Sequence, residues 1–416
     1  MPKGEVDALP QGAALTARDA RFRDCPDPIY DTLRTHAPHY DDRAYGRTLL
    51  TRHDDVRAAL RHKRFSVDAR LSGPDSYVRR IAGTGGDERQ GEAAYTPPLV
   101  LLDDPDHRRI RLLMSKAFNP QSIAAMSERI GMITRELLDA CNGRDRIDLI
   151  ADVAAPLPTQ TILEMMGMPV QRRDDFKRWS EAILMGYDPA RDRATQARLR
   201  DAYVAMGSEF QRVVDARRAS PREDLISAMV RAQEHRDRLT DLEIISLCTQ
   251  LIVAGNVTTT DLIGNGIFAL LENPHELARL RADPALIDNA VEEMLRFDCP
   301  ITETARIPLH DDRLNGCPVH AGTTFTASLA AANHDPAVFP EPHRFDITRD
   351  ASAHLAFGSG IHVCLGAPLA RLEARIAIGE ILARWPRLRR DPEITPRRRR
   401  ALPFFRGFTH LPVRIA

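Results

Sequence analysis

A mainly α protein with small β sheets is the fold this chain predicts, and three features of the sequence point there. Apolar residues recur three and four apart, with charged faces between them, over residues 26–37, 53–62, 105–118, 121–141, 153–167, 171–186 and 190–218. That spacing lines one side of a helix. Residues 239–272 continue the pattern far enough for a single helix of about 50 Å at 1.5 Å per residue. Strand-like runs, by contrast, are short and confined to Leu49–Thr51, Ile307–Leu309, Thr323–Ala331 and Phe408–Ile415.

The N-terminus, Met-Pro-Lys-Gly-Glu-Val-Asp, carries charge at once and has no apolar stretch of signal-peptide length. After the first two predicted helices, residues 71–100 are rich in Gly and charge and lack helical periodicity, so they read as a long loop of the kind that often covers a site. The longest stretch without charge, Ile244 to Thr260, includes Gln250 and Asn256 and falls short of the roughly 20 apolar residues of a membrane span. A helix over about Pro284–Phe297 follows. Arg397–Arg400, just after Pro396, reads as a solvated turn.

With 416 residues the chain is long enough for two or more domains, or for one large helical unit. Its 58 basic residues balance 58 acidic ones, so total charge calls for neither nucleic acid nor an anionic membrane. Cys25, Cys141, Cys248, Cys299, Cys317 and Cys364 are scattered, with no CxxC pair. Reduced thiols in a soluble, cytoplasmic protein are expected.

Residues 357–366 read Phe-Gly-Ser-Gly-Ile-His-Val-Cys-Leu-Gly. Gly358, Gly360 and Gly366 permit positive φ or close backbone approach around Cys364. A helix is predicted to start near Ala367, with Pro368 in its first turn, where a missing N–H costs least. Its positive end favours a thiolate over a thiol. Continued by Leu369-Ala370-Arg371-Leu372-Glu373, this segment closely resembles the cysteine loop and following helix of the cytochrome P450 family, the haem-thiolate monooxygenases.

The resemblance extends in order and spacing over nearly the whole chain. It implies one P450 domain over 1–416, with a β-containing N-terminal part and a larger helical part, triangular, its long central helix lying over haem b (iron protoporphyrin IX). Cys364 becomes the axial iron ligand, with Phe357, Gly358 and Gly366 in the haem-binding loop. His107 and Arg111, four apart on one helix face, match a pair that binds haem propionates, and Arg306 and His362 complete that clamp. Glu293 and Arg296 match a buried structural pair, with Arg344 as its third member. In Ala254-Gly255-Asn256-Val257-Thr258, residues poorly suited to a helix interior match an oxygen-binding groove. There Ala254 and Gly255 face the haem, the glycine lets the helix bulge, and the Thr258 hydroxyl supports oxygen activation. A threonine bonding back to its own helix suits Thr259 or Thr260 better.

One departure stands out. The family commonly has Asp or Glu just before that threonine, and here the position is Val257, so protons need another route, such as waters anchored by Asn256 and Thr258. Gln250 shares a helix face with Ala254 and Thr258, and Phe404-Phe405 match a C-terminal loop reaching back over the haem. All three are candidate contacts to a small organic substrate. No flavin or iron–sulfur module follows the last motif, so electrons for O2 reduction are expected from a ferredoxin and an NAD(P)H-dependent ferredoxin reductase. Arg108, Arg109, Arg371 and Arg375 are candidate contacts for an acidic ferredoxin. A peroxide-driven or electron-independent haem-thiolate enzyme, and a non-catalytic haem-binding sensor, are the rival readings.

Overall fold

The 32-residue helix Asp241–Glu272 organises the molecule. Thr240 and Glu243 start it with a capping box: the Thr240 hydroxyl accepts from the Glu243 N–H (3.1 Å), and the Glu243 carboxylate accepts from the Thr240 N–H (2.7 Å). Among the helices that pack against this central helix are Pro156–Met165, Arg173–Leu184, Arg193–Ala219, Ile287–Phe297 and Ala367–Arg384. By length and composition it is apolar enough to cross a membrane, but half of that apolar stretch is buried inside the protein. The computed structural model describes residues 9–82, 96–188, 191–234 and 239–416.

Helices fall where the apolar spacing predicts them, at Asp27–His36, His53–Arg61, Asp106–Ala117, Arg173–Leu184 and Arg193–Ala219. Predicted helix 121–141 is two pieces, Pro120–Ala124 and Ser127–Asp139. Predicted helix 153–167 begins at Pro156, because proline has no N–H to continue the π-helical turn Ile150–Ala154 before it. In the long loop, Tyr77–Ala82 is helical and Leu99–Leu101 forms a 3-10 turn, while residues 83–95 lie outside the described residues.

Five strands form the main sheet, in the order His39–Asp42, Arg47–Leu50, Phe325–Ser328, Glu303–Pro308, Phe65–Ser66. Only the pairing of Arg47–Leu50 with Phe325–Ser328 is parallel. This sheet sets Arg306 opposite Phe325. The predicted strand 323–331 stops at Ser328, whose hydroxyl caps the alanine-rich helix Leu329–Asn333.

The reading of Arg397–Arg400 as a solvated turn is corrected. Arg397–Arg398 pair with Phe408–His410; Arg398 reaches Asp298 (2.9 Å) and Arg399 reaches Asp261 (3.1 Å). Both acids are buried, and a buried carboxylate without a cation is costly. Two of the four arginines are therefore drawn inward.

Candidate active site

The Cys364 N–H donates to the Phe357 carbonyl (2.9 Å), closing the cysteine loop on itself. Gly358 and Gly360 hold φ of 71° and 77°. A Cβ on Gly360 would also come within 2.7 Å of the Leu60 carbonyl, so the loop seats directly on the helix His53–Arg61. Gly366 does not use positive φ: its φ is −81°, and among the described residues a Cβ there would meet only the Cys364 sulfur, at 3.9 Å. The helix begins at Ala367 with Pro368 in its first turn. Cys364 is exposed by surface area, yet protein surrounds its sulfur closely enough that burial dominates and raises the thiol pKa. The N–H groups of Gly366 and Ala367 and the Arg111 guanidinium act against that shift and favour thiolate.

Three basic side chains, His107, Arg111 and Arg306, gather around His362 of this loop, and Arg111 also acts on the sulfur. His107 and Arg306 are buried, and Arg111 and His362 half-buried. The imidazoles of His107 and His362 lie 4.3 Å apart between ring centres. Burial holds the Arg306 guanidinium down, to about 10. Burial, with Arg306, His107 and Arg111 close by, pushes His362 down to about 3. Among the described residues Arg306 donates only to the neighbouring Ala305 carbonyl (2.8 Å). The His107 Nε2 is buried without a hydrogen-bond partner among the described residues, although its Nδ1 stands 3.6 Å from Asp104. Basic groups clustered in this way suppress one another's charge unless an anion joins them. Two carboxylates placed among them would satisfy the orphaned donors, so the residues present fit haem b and its two propionates.

On the central helix, Gln250, Ala254 and Thr258 share a face that is more open than its flanks, with Ala254 exposed among buried neighbours. Two expectations change here. The helix is assigned as continuous α through residue 272, without a bulge at Gly255; that glycine instead admits Ile162, whose Cδ1 would lie 3.1 Å from a Cβ. Thr258 itself donates to the Ala254 carbonyl (2.6 Å), as Thr260 does to that of Asn256 (2.8 Å). The Thr258 oxygen keeps its lone pairs and can accept a proton donor from that face. Gln250 is also engaged: its Oε1 accepts from the Leu99 N–H (2.8 Å), while the Ser246 hydroxyl donates to the Thr96 carbonyl (3.0 Å).

Glu373 carries a feature to which sequence reasoning assigned no role. It sits on the helix Ala367–Arg384 with 1 % of its surface exposed. Burial pushes its carboxyl up to about 8 against the pull of Thr161 and Thr259. Leu369, Leu372, Glu373 and Ala377 are all buried on that helix, so an acid in an apolar stripe was the available signal.

The Glu293–Arg296 pair is fully buried and bidentate, at 2.7 and 2.8 Å. Arg344 is not its third member. Its guanidinium is half exposed and faces Glu341 and Asp346, and only its carbonyl accepts from Arg296 (3.3 Å). Arg349 takes the place, donating to Glu293 Oε1 (3.3 Å), because the turn after Phe345 brings residue 349 back over the pair. Glu292 next door binds Arg371 through two bonds of 2.6 and 2.8 Å, and Arg371 lies over the Phe357 ring at 4.6 Å.

Phe404 and Phe405 stack near Tyr187, with the Phe404 ring 5.3 Å from that of Tyr187. Among the arginines expected to meet a ferredoxin, Arg109 pairs with Glu243, Arg371 with Glu292 and Arg375 with Asp288. Arg108 is exposed.

The family model described as "Cytochrome P450" matches residues 158–396. Cytochrome P450 107B1 of Saccharopolyspora erythraea is 40% identical over 88% of this chain and 88% of its own length. The 6-deoxyerythronolide B hydroxylase of the same organism is 37% identical over 93% and 95%. Among solved structures, a myxobacterial cytochrome P450, CYP267B1, in complex with myristic acid, superposes with a TM-score of 0.85 at 36% identity, over 96% of this chain and 98% of the other. With likeness of that extent, and a cysteine loop flanked by buried basic groups, the chain belongs to the cytochrome P450 family.

Proposed function

We propose that this haem-thiolate monooxygenase takes its electrons from a separate ferredoxin and NAD(P)H-dependent reductase in the cytoplasm, and that it oxidises an organic substrate with a substantial apolar face. Haem b, when bound, supplies the activation of O2 for insertion of one oxygen atom. Cys364 gives the thiolate, and His107, Arg111, Arg306 and His362 hold the propionates. Thr258 supports oxygen activation by holding a water through its free lone pairs. With Val257 offering no acid, Asn256 and Thr258 anchor the water that relays protons. Phe404, Phe405 and Tyr187 supply an aromatic wall for the substrate, and the amide NH2 of Gln250 is the polar group offered to it.

The observation that carries this reading is the set of basic groups, two of them buried, around the Cys364 loop. The same organic substrate, turned over with NAD(P)H, ferredoxin and reductase in one arm and hydrogen peroxide in the other, tests it. Product formed only with the redox chain supports the proposal. Product from peroxide alone at equal or greater rate would favour the peroxide-driven reading, which Val257 motivates.

A further inference from the structure

Outside the cysteine loop, His334, Asp27, His343 and Asp31 come together from three separate elements. Asp27 and Asp31 lie one turn apart on the helix Asp27–His36, His334 follows the helix Leu329–Asn333, and His343 sits in the loop beyond it. Donor atoms of Asp27, His334 and His343 all lie within 4.8 Å of one another. His334 Nδ1 stands 3.3 Å from Asp27 Oδ1, and His343 Nδ1 stands 3.6 Å from Asp27 Oδ2. Tetrahedral zinc with bonds near 2.05 Å sets neighbouring donors roughly 3.3 Å apart, so little side-chain movement is needed.

Two details show what this cluster lacks. His343 Nε2 lies 2.8 Å from Asp31 Oδ2. Donation of that N–H to the carboxylate leaves Nδ1 as a lone pair directed at Asp27. A lone pair facing an anion is repulsive, and either a proton on that nitrogen or a metal cation between the two relieves it. His334 is 6 % exposed; its Nδ1 faces the Asp27 carboxylate, and its Nε2 has no hydrogen-bond partner among the described residues. The nearby guanidinium groups are already committed, Arg296 to Glu293 and Arg406 to Asp298. A carboxylate behind a ligating imidazole is how metal sites fix the ring and its tautomer, and Asp31 holds that position.

We infer that Asp27, His334 and His343 form a binding site for a divalent transition metal of the Zn2+ class, with Asp31 orienting His343. Two imidazoles and a carboxylate suit zinc over the hard cations. A metal there would tie the helix Asp27–His36 to the segment whose Asn333 and Pro342 carbonyls accept from Arg296.

The test uses the haem-loaded protein in metal-free buffer, with Zn2+ alone as probe and a chromogenic chelator as competitor. One zinc per chain is expected, with the thermal midpoint rising as zinc concentration rises. His343→Ala removes an exposed ligand and should lower affinity at least tenfold, with Asp31→Asn lowering it about 10- to 100-fold. An unchanged reduced carbon monoxide spectrum shows that each variant is folded. No stoichiometric binding by the wild type, undiminished binding by His343→Ala, or Mg2+ bound as tightly as Zn2+ would each overturn the site.

Discussion

Thr258 has a hydroxyl whose proton is already given to the Ala254 carbonyl, and its neighbour Val257 has no polar group at all. The acceptor side of that hydroxyl is then what the residue contributes to proton delivery. Thr258→Ala is expected to keep haem content and substrate affinity while diverting most reducing equivalents to hydrogen peroxide, as read by peroxide assay against product. Coupling that stays intact would point to a water chain independent of this helix. At the cysteine, Cys364→Ser should abolish the thiolate absorption band of the reduced carbon monoxide complex. A retained band would refute Cys364 as the ligand. At this scale the sequence was legible where a motif is contiguous. Cys364 and its loop could be located from ten consecutive letters, whereas the choice of Arg349 over Arg344 depends on the path of a loop, which no spacing encodes.

Among elements, the pair within Ile287–Phe297 and its loop cap form one polar unit inside the core. Removing one partner of a buried pair strands the other. Arg296→Ala should therefore cost about 3–5 kcal/mol, and Arg349→Ala about 1–3 kcal/mol as charged hydrogen bonds are lost. Arg344→Ala, on a half-exposed side chain, should stay within about 0.5 kcal/mol. Urea unfolding of the three variants checks the order, and equal losses for 344 and 349 would contradict it. Glu373 on the helix Ala367–Arg384 makes a pH prediction. Its folded pKa is raised from 4.5 to about 8, so the folded state holds the proton more tightly than the unfolded chain does. The contribution is complete below the unfolded value and disappears as pH climbs to about 8. Glu373→Gln should flatten that part of the stability–pH curve, which denaturant titration at several pH values would show. Periodicity revealed most helices. It gave no notice that Pro156 would delay one start, since propensity places proline in a first turn without saying which turn is first.

For the whole molecule, the surface near the cysteine loop combines Arg108 with Leu112 and Ile361, which are 61 % and 56 % exposed. An acidic ferredoxin docking there would be steered by charge and weakened by salt. Arg108→Glu should raise the ferredoxin KM and reduce its salt dependence without altering substrate binding. Arg371→Glu, which breaks the internal bond to Glu292, should appear first as lost stability. If both variants changed only KM, the docking face would extend further round the molecule than Arg108. The overall architecture was legible because the long central helix and the cysteine loop are both local in sequence. Which arginines point outward was not, because each charge chooses between solvent and a partner distant along the chain. Gln250 is the sharpest instance. Its oxygen accepts from the Leu99 N–H while Ser246, one turn earlier, takes hold of Thr96, so one stretch of the central helix works as a latch on the segment 96–101. A guest entering past that segment would meet the latch first, and Gln250→Leu should speed both arrival and departure of ligands in stopped-flow mixing, departure the more because the amide offered to the substrate is lost as well.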